Sequence, residues 1–311
     1  MNILVTGGNG FIGRHVCDRL RSLGHTPTVF DRHGSTVSPA AGFIGAPVFL
    51  GDTTDAAAVS EAVYHSDAVM HLAGVLGTQE TITNPLPAVQ TNIVGSLNVF
   101  HACALHNKRA VYIAVGNHWM NNPYSITKTT AERFALMFNK ERGTKIAVVR
   151  GMNAYGPGQK AWPVRKIIPN FIIPALKGDP LTVYGDGSQV MDMVYVDDLT
   201  AVLCAALLFN HGVYDSVFEA GTGTPTTVLQ IAKEVIKQVG GGTIHHVPMR
   251  PGEPEASRVL ANRETLAPFL YSDFASLENG GRGFMSLAGA SKRRFRIIET
   301  CWPMRKTNII T

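Results

Sequence analysis

Tyr124 and Lys128 stand four residues apart in the run Tyr124-Ser125-Ile126-Thr127-Lys128. On a helix that spacing puts both side chains on one face. An ammonium there stabilises a phenolate and lowers a phenol pKa that is about 10 when unperturbed. A tyrosine tuned in this way removes a hydroxyl proton while hydride leaves the same carbon for a nicotinamide. A second candidate site precedes it in the run Thr6-Gly7-Gly8-Asn9-Gly10-Phe11-Ile12-Gly13. Gly7, Gly10 and Gly13 permit a tight turn, close backbone approach to a pyrophosphate and close helix packing. The helix that opens at Phe11 and Ile12 offers N–H groups and a partial positive charge. Asp31, at the end of the next apolar run, is placed to accept hydrogen bonds from an adenosine ribose. Its charge repels a 2′-phosphate and so favours NAD, while the neighbouring Arg32 leaves NADP open.

These residues need elements to hold them. Short β-branched runs alternate with helical patterns: NILVT, a helix from about Ile12 to Leu23, TPTVF, a helix around Asp55 to Tyr64, and AVMHLAG. The rhythm continues with a helix from Pro87 to His106, AVYIAV, a helix from Tyr124 to Arg142, and KIAVVR. Such alternation predicts an α/β fold with a doubly wound parallel sheet of Rossmann type. After Arg150 the texture becomes richer in Gly and Pro, which predicts a smaller second lobe over the carboxyl ends of the strands. The expected partition is 1–150 plus about 190–212 for the dinucleotide-binding domain, and about 151–189 with 213–280 for the substrate lobe.

In these motifs and their order the chain resembles the extended short-chain dehydrogenase/reductases, in particular the NAD-dependent nucleotide-sugar epimerase/dehydratase group. The resemblance covers about residues 1–280: TGGNGFIG, Asp31, GDTTD, HLAG, Asn92, YSITK, VRGMNAYGPGQ, YGDGSQVMDMVYVDD and the run Arg250-Pro251-Gly252-Glu253. It implies that Asp52 and Thr53 flank the adenine, that Leu72, Ala73 and Gly74 line the dinucleotide, and that Asn92 supports the site. Lys128 then also holds the nicotinamide ribose. In the second lobe it implies Asn153 and Arg250 on a substrate diphosphate and Tyr184 near its base. The implied ligands are NAD and a nucleotide-diphosphate sugar, and the implied assembly is a homodimer paired through the helices at Pro87–His106 and Tyr124–Arg142.

Three departures from that pattern stand out. Relatives carry a Ser or Thr before the catalytic tyrosine, whereas Ala114 to Met120 holds no hydroxyl; Asn117 is the first candidate for its role, with His118 and Thr78 behind it. Met191 stands where the family tends to have an Arg for a substrate phosphate, a loss that Arg250, Lys160, Arg165 or Lys166 can offset. Finally, Gly281 to Thr311 has no helical periodicity and a sudden basic bias, consistent with either a shifted reading frame or a basic tail particular to this lineage.

The reaction is chosen by what is missing. A 4,6-dehydratase needs an acid and a base beside the tyrosine, yet no Asp or Glu occurs between Glu80 and Glu132. Epimerisation at C4 needs only hydride out, rotation of the keto sugar and hydride back, and is the expected activity. A dehydratase or keto-sugar reductase comes second, and a non-catalytic dinucleotide sensor is the alternative of another class.

Composition agrees with an enzyme of this kind. The 311 residues are 45% hydrophobic and 16% charged, which excludes a disordered chain. The formal charge of +5 is concentrated at the end: seven Lys/Arg after Gly280 leave residues 1–280 with 21 basic and 22 acidic groups, so no nucleic-acid footprint is expected. Cys17, Cys103, Cys204 and Cys301 lie far apart and fit reduced thiols of a cytoplasmic protein better than disulfides or zinc. His245-His246 and the His101/His106 pair lack metal-ligand spacing and accompanying carboxylates, and no apolar run is long enough for a membrane span.

Overall fold

The computed structural model describes residues 1–32 and 47–272, with side chains through Phe269. In chain order the nucleotide half comprises β1 (Asn2–Thr6), α1 (Phe11–Ser22), β2 (Thr26–Asp31), β3 (Val48–Leu50), α2 (Ala56–Tyr64) and β4 (Ala68–His71). A long helix then runs in three pieces: α3 (Leu86–Ala88), a π-helical segment Val89–Gly95, and α4 (Ser96–Leu105). β5 (Arg109–Val115), α5 (Pro123–Arg142) and β6 (Ile146–Gly151) follow. Beyond them come β7 (Asn153–Tyr155), α6 (Ile167–Lys177), β8 (Leu181–Tyr184), β9 (Val190–Tyr195), α7 (Val196–Leu208), β10 (Val217–Ala220), β11 (Pro225–Thr227), α8 (Val228–Val239), β12 (Ile244–Val247), β13 (Arg258–Val259), a 3₁₀ turn Arg263–Leu266 and α9 (Ala267–Ser272).

Seven parallel strands form the main sheet in the order β10-β6-β5-β4-β1-β2-β3, so the expected doubly wound fold is present. Strands buried on both faces need continuous apolar runs, and β1, β4 and β5 supply them. One face packs on α1 and α7 around Val5, Leu20, Val149 and Leu203; the other packs on α2, α4 and α5 around Phe30, Val63, Phe100 and Tyr112. The order reverses between β1 and β4, and the crevice at their carboxyl ends is where such sheets take ligands. The second lobe is built on β9, which pairs with β7, β11 and β13, beside the two-stranded pair β12-β8; α6 and α8 cover it.

The partition differs from expectation in two respects. β9 (Val190–Tyr195) lies inside the stretch assigned to the dinucleotide-binding domain but pairs with β7, β11 and β13 in the second lobe, where Met193 and Tyr195 are buried. β10 lies inside the stretch assigned to the second lobe but pairs with β6 in the main sheet, and Leu266 and Phe269 bury themselves in that sheet's core. The apolar faces of these late segments have their partner there. Cys17, Cys103 and Cys204 are buried free thiols, while Cys301 and the basic tail lie outside the described residues. Among the described residues no group of three or more His, Cys, Asp or Glu is disposed to hold a metal ion, and no helix is long and apolar enough to cross a membrane.

Candidate active site

The glycine loop closes tightly under β1. Gly7 adopts φ +70° and donates its N–H to Phe30 O at 2.9 Å. A Cβ there would sit 2.8 Å from the Ala73 nitrogen, so only glycine lets this turn pass beneath the strand-end loop Leu72-Ala73-Gly74. A Cβ on Gly13 would meet Gly7 O at 2.3 Å, which fixes how closely α1 approaches the loop. Gly10 is the extended N-cap of α1 and has no side-chain cap, leaving the first N–H groups at Phe11 and Ile12 to face outward. Ile12 packs on the sheet core and Phe11 sets its ring edge-on to His15. Asp31 ends β2 and accepts N–H bonds from Asn9 (3.0 Å) and Arg32 (2.9 Å), which brings the acidic residue against the glycine loop. Asp52 accepts from the Thr54 amide and hydroxyl, and buried Thr53 abuts Gly95, with its carbonyl held by Asn98 at 2.9 Å.

β4 ends in a buried relay. Thr6 Oγ1 accepts N–H bonds from Leu72 and Ala73, so its own proton goes to His71 Nδ1 at 2.7 Å. His71 therefore carries its proton on Nε2 and donates it to Ser96 Oγ at 2.9 Å, which donates in turn to Asn92 O at 2.7 Å. Burial, with the Lys128 charge nearby, pushes the His71 imidazole down to about 3, and it serves as a neutral link. Asn92 sits in the π-helical segment, where the extra residue per turn displaces a side chain from the regular helical face. Its Oδ1 accepts from Val75 N–H (2.8 Å), and its Nδ2 donates to Val75 O and to Thr127 Oγ1 (3.0 Å each). The carboxamide thus ties the loop after β4 to α5.

α5 begins sharply. Asn122 Oδ1 caps Ser125 N–H at 2.9 Å, and Pro123 occupies the first turn. Tyr124 and Lys128 follow on one face. Lys128 is buried, with Nζ 4.2 Å from the Tyr112 ring centroid and close under Gly74. Burial pulls its ammonium down to about 7, against the pull of Glu132 one turn on. The half-buried Tyr124 phenol is pushed up to about 12 by burial. The sequence expectation was a phenol lowered by Lys128. Here the lysine turns its charge to the Tyr112 face, and desolvation sets the Tyr124 direction.

The Lys128 shift has a measurable consequence. A fall from 10.5 to about 7 corresponds to roughly 4 to 5 kcal/mol against folding when the unfolded lysine is charged. Loss of the cation over Tyr112 offsets about 1 to 2 of that. Lys128→Met is therefore expected to melt several degrees higher than wild type in calorimetry while losing activity. Between about 7 and 10.5 the unfolded wild type binds the extra proton, so its stability rises with pH and the variant's advantage shrinks. An unchanged melting gap between pH 6 and 9 would refute this.

Behind Lys128 lies a buried charge row. Glu132 receives Arg150 in a fork (Nε–Oε2 2.9 Å, Nη2–Oε1 2.6 Å), Arg150 Nη1 reaches Glu219 Oε1 at 3.1 Å, and Glu219 Oε2 accepts from Asn262 N–H at 2.7 Å. It runs from the α5 face to β6 and β10 and on to the segment before the 3₁₀ turn.

In the second lobe, Tyr184 and Arg250 come together: Arg165 Nη1 donates to the Tyr184 hydroxyl at 2.8 Å, and the Arg250 guanidinium lies 5.5 Å from its ring centroid. Arg250 also pairs with Glu253, which accepts from Thr78 Oγ1 at 3.2 Å. Lys166 adds a buried amine, its pKa lowered by burial against the pull of Glu80. Arg165 and Arg250 thus supply cations beside Tyr184, with Lys166 near Arg250, while Met191 packs against the lobe's apolar core. Asn153 opens β7 and reaches Asp192 O at 3.4 Å.

Of the candidates for the missing hydroxyl, Asn117 turns its amide to Met120 Sδ (3.5 Å), His118 Nδ1 lies 3.3 Å from Gly116 O, and Thr78 is engaged by Glu253. A Cβ on Gly116 would fall 2.3 Å from Met152 Sδ, so the thioether fills the space a side chain at that strand end would take. Sequence reasoning passed over the Thr6-His71-Ser96 relay, Arg14 and the Glu132-Arg150-Glu219 row. The repeat Tyr124, Lys128, Glu132 at intervals of four was the available signal for the last.

Comparison with known proteins gives the family and the fold. The sequence profile described as "NAD dependent epimerase/dehydratase family" matches residues 3–221. UDP-N-acetyl-alpha-D-glucosaminuronate decarboxylase of Bacillus cytotoxicus is 28% identical over 84% of this chain and 88% of its own. dTDP-glucose 4,6-dehydratase of Streptomyces niveus is 30% identical over 81% of this chain and 82% of its own. Among solved structures, the Thermotoga maritima UDP-glucose 4-epimerase with UDP-glucose superposes with TM-score 0.81 at 26% identity, covering 96% of this chain and 99% of that one. The Thermus thermophilus UDP-glucose 4-epimerase complex with NAD gives 0.77 at 26% identity over 95% and 99%.

Proposed function

Because the chain belongs to the NAD-dependent epimerase/dehydratase family, we propose that it inverts C4 of a nucleotide-diphosphate sugar by transient hydride transfer, with NAD rather than NADP. The observation that carries this reading is that Lys128 and Asn92 meet beside Gly74, with Tyr124 one helical turn before Lys128 on α5 and no carboxylate anywhere between Thr81 and Ala131 to serve an elimination. Glu80 and Glu253 are occupied by the Arg165 N–H and by Arg250. The residues fit the cofactor: a Cβ on Gly7 or Gly13 would strike backbone, so the two glycines let the loop and α1 close up tightly as a pyrophosphate turn needs, and Asp31 lies against that loop to meet a ribose and reject a 2′-phosphate.

Held by the Gly7–Gly13 loop and Asp31, NAD would supply reversible hydride transfer at the sugar carbon. Tyr124 takes and gives back the hydroxyl proton, with Lys128 one helical turn further along the same face of α5. Asn92 fixes the backbone at Val75 and so the wall of the site. The cations around Tyr184 suit the diphosphate. Pairing of two copies through α4 and α5 belongs to the same reading, supported by exposed Leu105, Ile126 and Met137 on these helices.

Proton NMR of UDP-glucose and of UDP-N-acetylglucosamine with NAD-loaded protein tests the proposal. A growing galacto-configured anomeric signal is expected from one of them. A 6-deoxy-4-keto product instead would assign the dehydratase activity named for the Streptomyces niveus relative, and no change in either sugar would overturn the assignment for these substrates.

A further inference from the structure

Arg14 projects from the first turns of α1, and is 3% exposed. Nε donates to Gly10 O at 3.4 Å and Nη2 to Gly158 O at 3.0 Å, whereas Nη1 is buried with no hydrogen-bond partner among the described residues. A guanidinium is all donor and stays charged, so a buried nitrogen with nothing to receive its protons is costly. Burial lowers the Arg14 pKa, and Asp18 one turn on opposes that only in part. Two more features frame the group. The carbonyl that holds Nε belongs to Gly10, the N-cap, whose uncapped helix end favours an anion. Gly158 is in the second lobe's Gly156-Pro157-Gly158-Gln159 loop, and a Cβ there would lie 2.9 Å from Nη2, so this loop is shaped to admit the guanidinium. His15 secures the same loop through Pro157 O at 3.0 Å.

We propose that Arg14 is a ligand of the dinucleotide's diphosphate, its free Nη1 meeting a phosphate oxygen at the N-terminus of α1 while Nη2 holds the second lobe's loop against the same spot. This rests on the dinucleotide reading above. It makes one residue both an anion contact and a strut between the lobes, so occupancy of the diphosphate site is felt at residues 156–159. The partner is a diphosphate rather than a single charge because the helix end and the guanidinium present donors from two directions.

Calorimetric titration of the full chain with ADP-ribose, adenosine and UDP tests it. In Arg14→Met, which keeps the bulk, affinity for ADP-ribose is expected to fall about 10- to 100-fold, with adenosine nearly unchanged. Arg14→Lys, a point charge without the fork, is expected to recover part of the loss. If Arg14→Met fails to fold, Arg14→Lys carries the test alone through the same ratio of ADP-ribose to adenosine. His15→Asn loosens the same loop and is expected to leave that ratio at its wild-type value, which separates a diphosphate contact from a mere strut. An unchanged ratio in the Arg14 variants overturns the proposal, as does a loss confined to UDP. Wild-type protein that binds ADP-ribose no better than adenosine would instead overturn the dinucleotide reading.

Discussion

Tyr124→Phe is expected to lower turnover of the nucleotide sugar by about 10²- to 10⁴-fold, the range for removal of a positioned acid/base group, with little change in melting temperature. Tyr124 sits in the second position of α5, after the Asn122 cap and Pro123, so the helix start does not depend on its hydroxyl. The ring stays, and with it the half-buried apolar contact. What is lost is the one group on this face that can carry a proton to and from a sugar hydroxyl beside a lysine charge. The rate of signal exchange in NMR, with calorimetry on the same sample, separates the two effects. Turnover within tenfold of wild type would remove Tyr124 from the chemistry and leave His118, on the loop before α5, as the next group to test.

The largest stability effect is expected from Arg150→Met. Glu132 is 4% exposed in its side chain and Arg150 16%, so deleting the guanidinium leaves a buried carboxylate with its fork partner gone. Breaking such a pair costs about 3–5 kcal/mol. The same change frees Glu219 and the link to Asn262, where the segment leading to the 3₁₀ turn is anchored. Urea unfolding should show a lower midpoint with an unchanged slope. Removing the charge on both sides, in Glu132→Gln with Arg150→Met, should recover most of the loss, because the penalty is the unpaired charge and not the missing bond. A single variant within about 1 kcal/mol of wild type would contradict this account.

Much of this architecture was legible in the order of residues. β1, β4, β5 and β6 are apolar runs of the length a buried parallel strand needs, and Asp55 and Asn122 stand as the caps that open α2 and α5. β3 was missed because three residues show no period. The stretch from Pro87 to His106 reads as one helix, yet Val89–Gly95 is π-helical; a change of winding over seven residues leaves composition and apolar content untouched, and Asn92 owes its reach to it. The same gap between spacing and distance explains the site. A separation of four placed Tyr124 and Lys128 on one face, but it did not say that Lys128 would rest on the Tyr112 ring or that burial would govern both pKa values. Arg14 follows Gly13 and reads as an ordinary helix-surface cation. The second lobe's loop, distant in sequence and near in space, receives its guanidinium at Gly158 O, and the side chain is buried.

The position of β10 also bears on how the protein is made. The main sheet takes its last strand from Val217–Ala220, after the chain has left β6 at Gly151 and built the first part of the second lobe. During synthesis at about 5–20 residues per second, roughly 65 residues separate the two strands, so the hydrogen-bonding edge of β6 stands open on the ribosome for about 3 to 13 seconds. An open apolar parallel edge is a template for association with other chains. The nascent protein is thus most exposed to aggregation, and most in need of a chaperone, while its nucleotide half is nearly complete and its edge strand has yet to arrive.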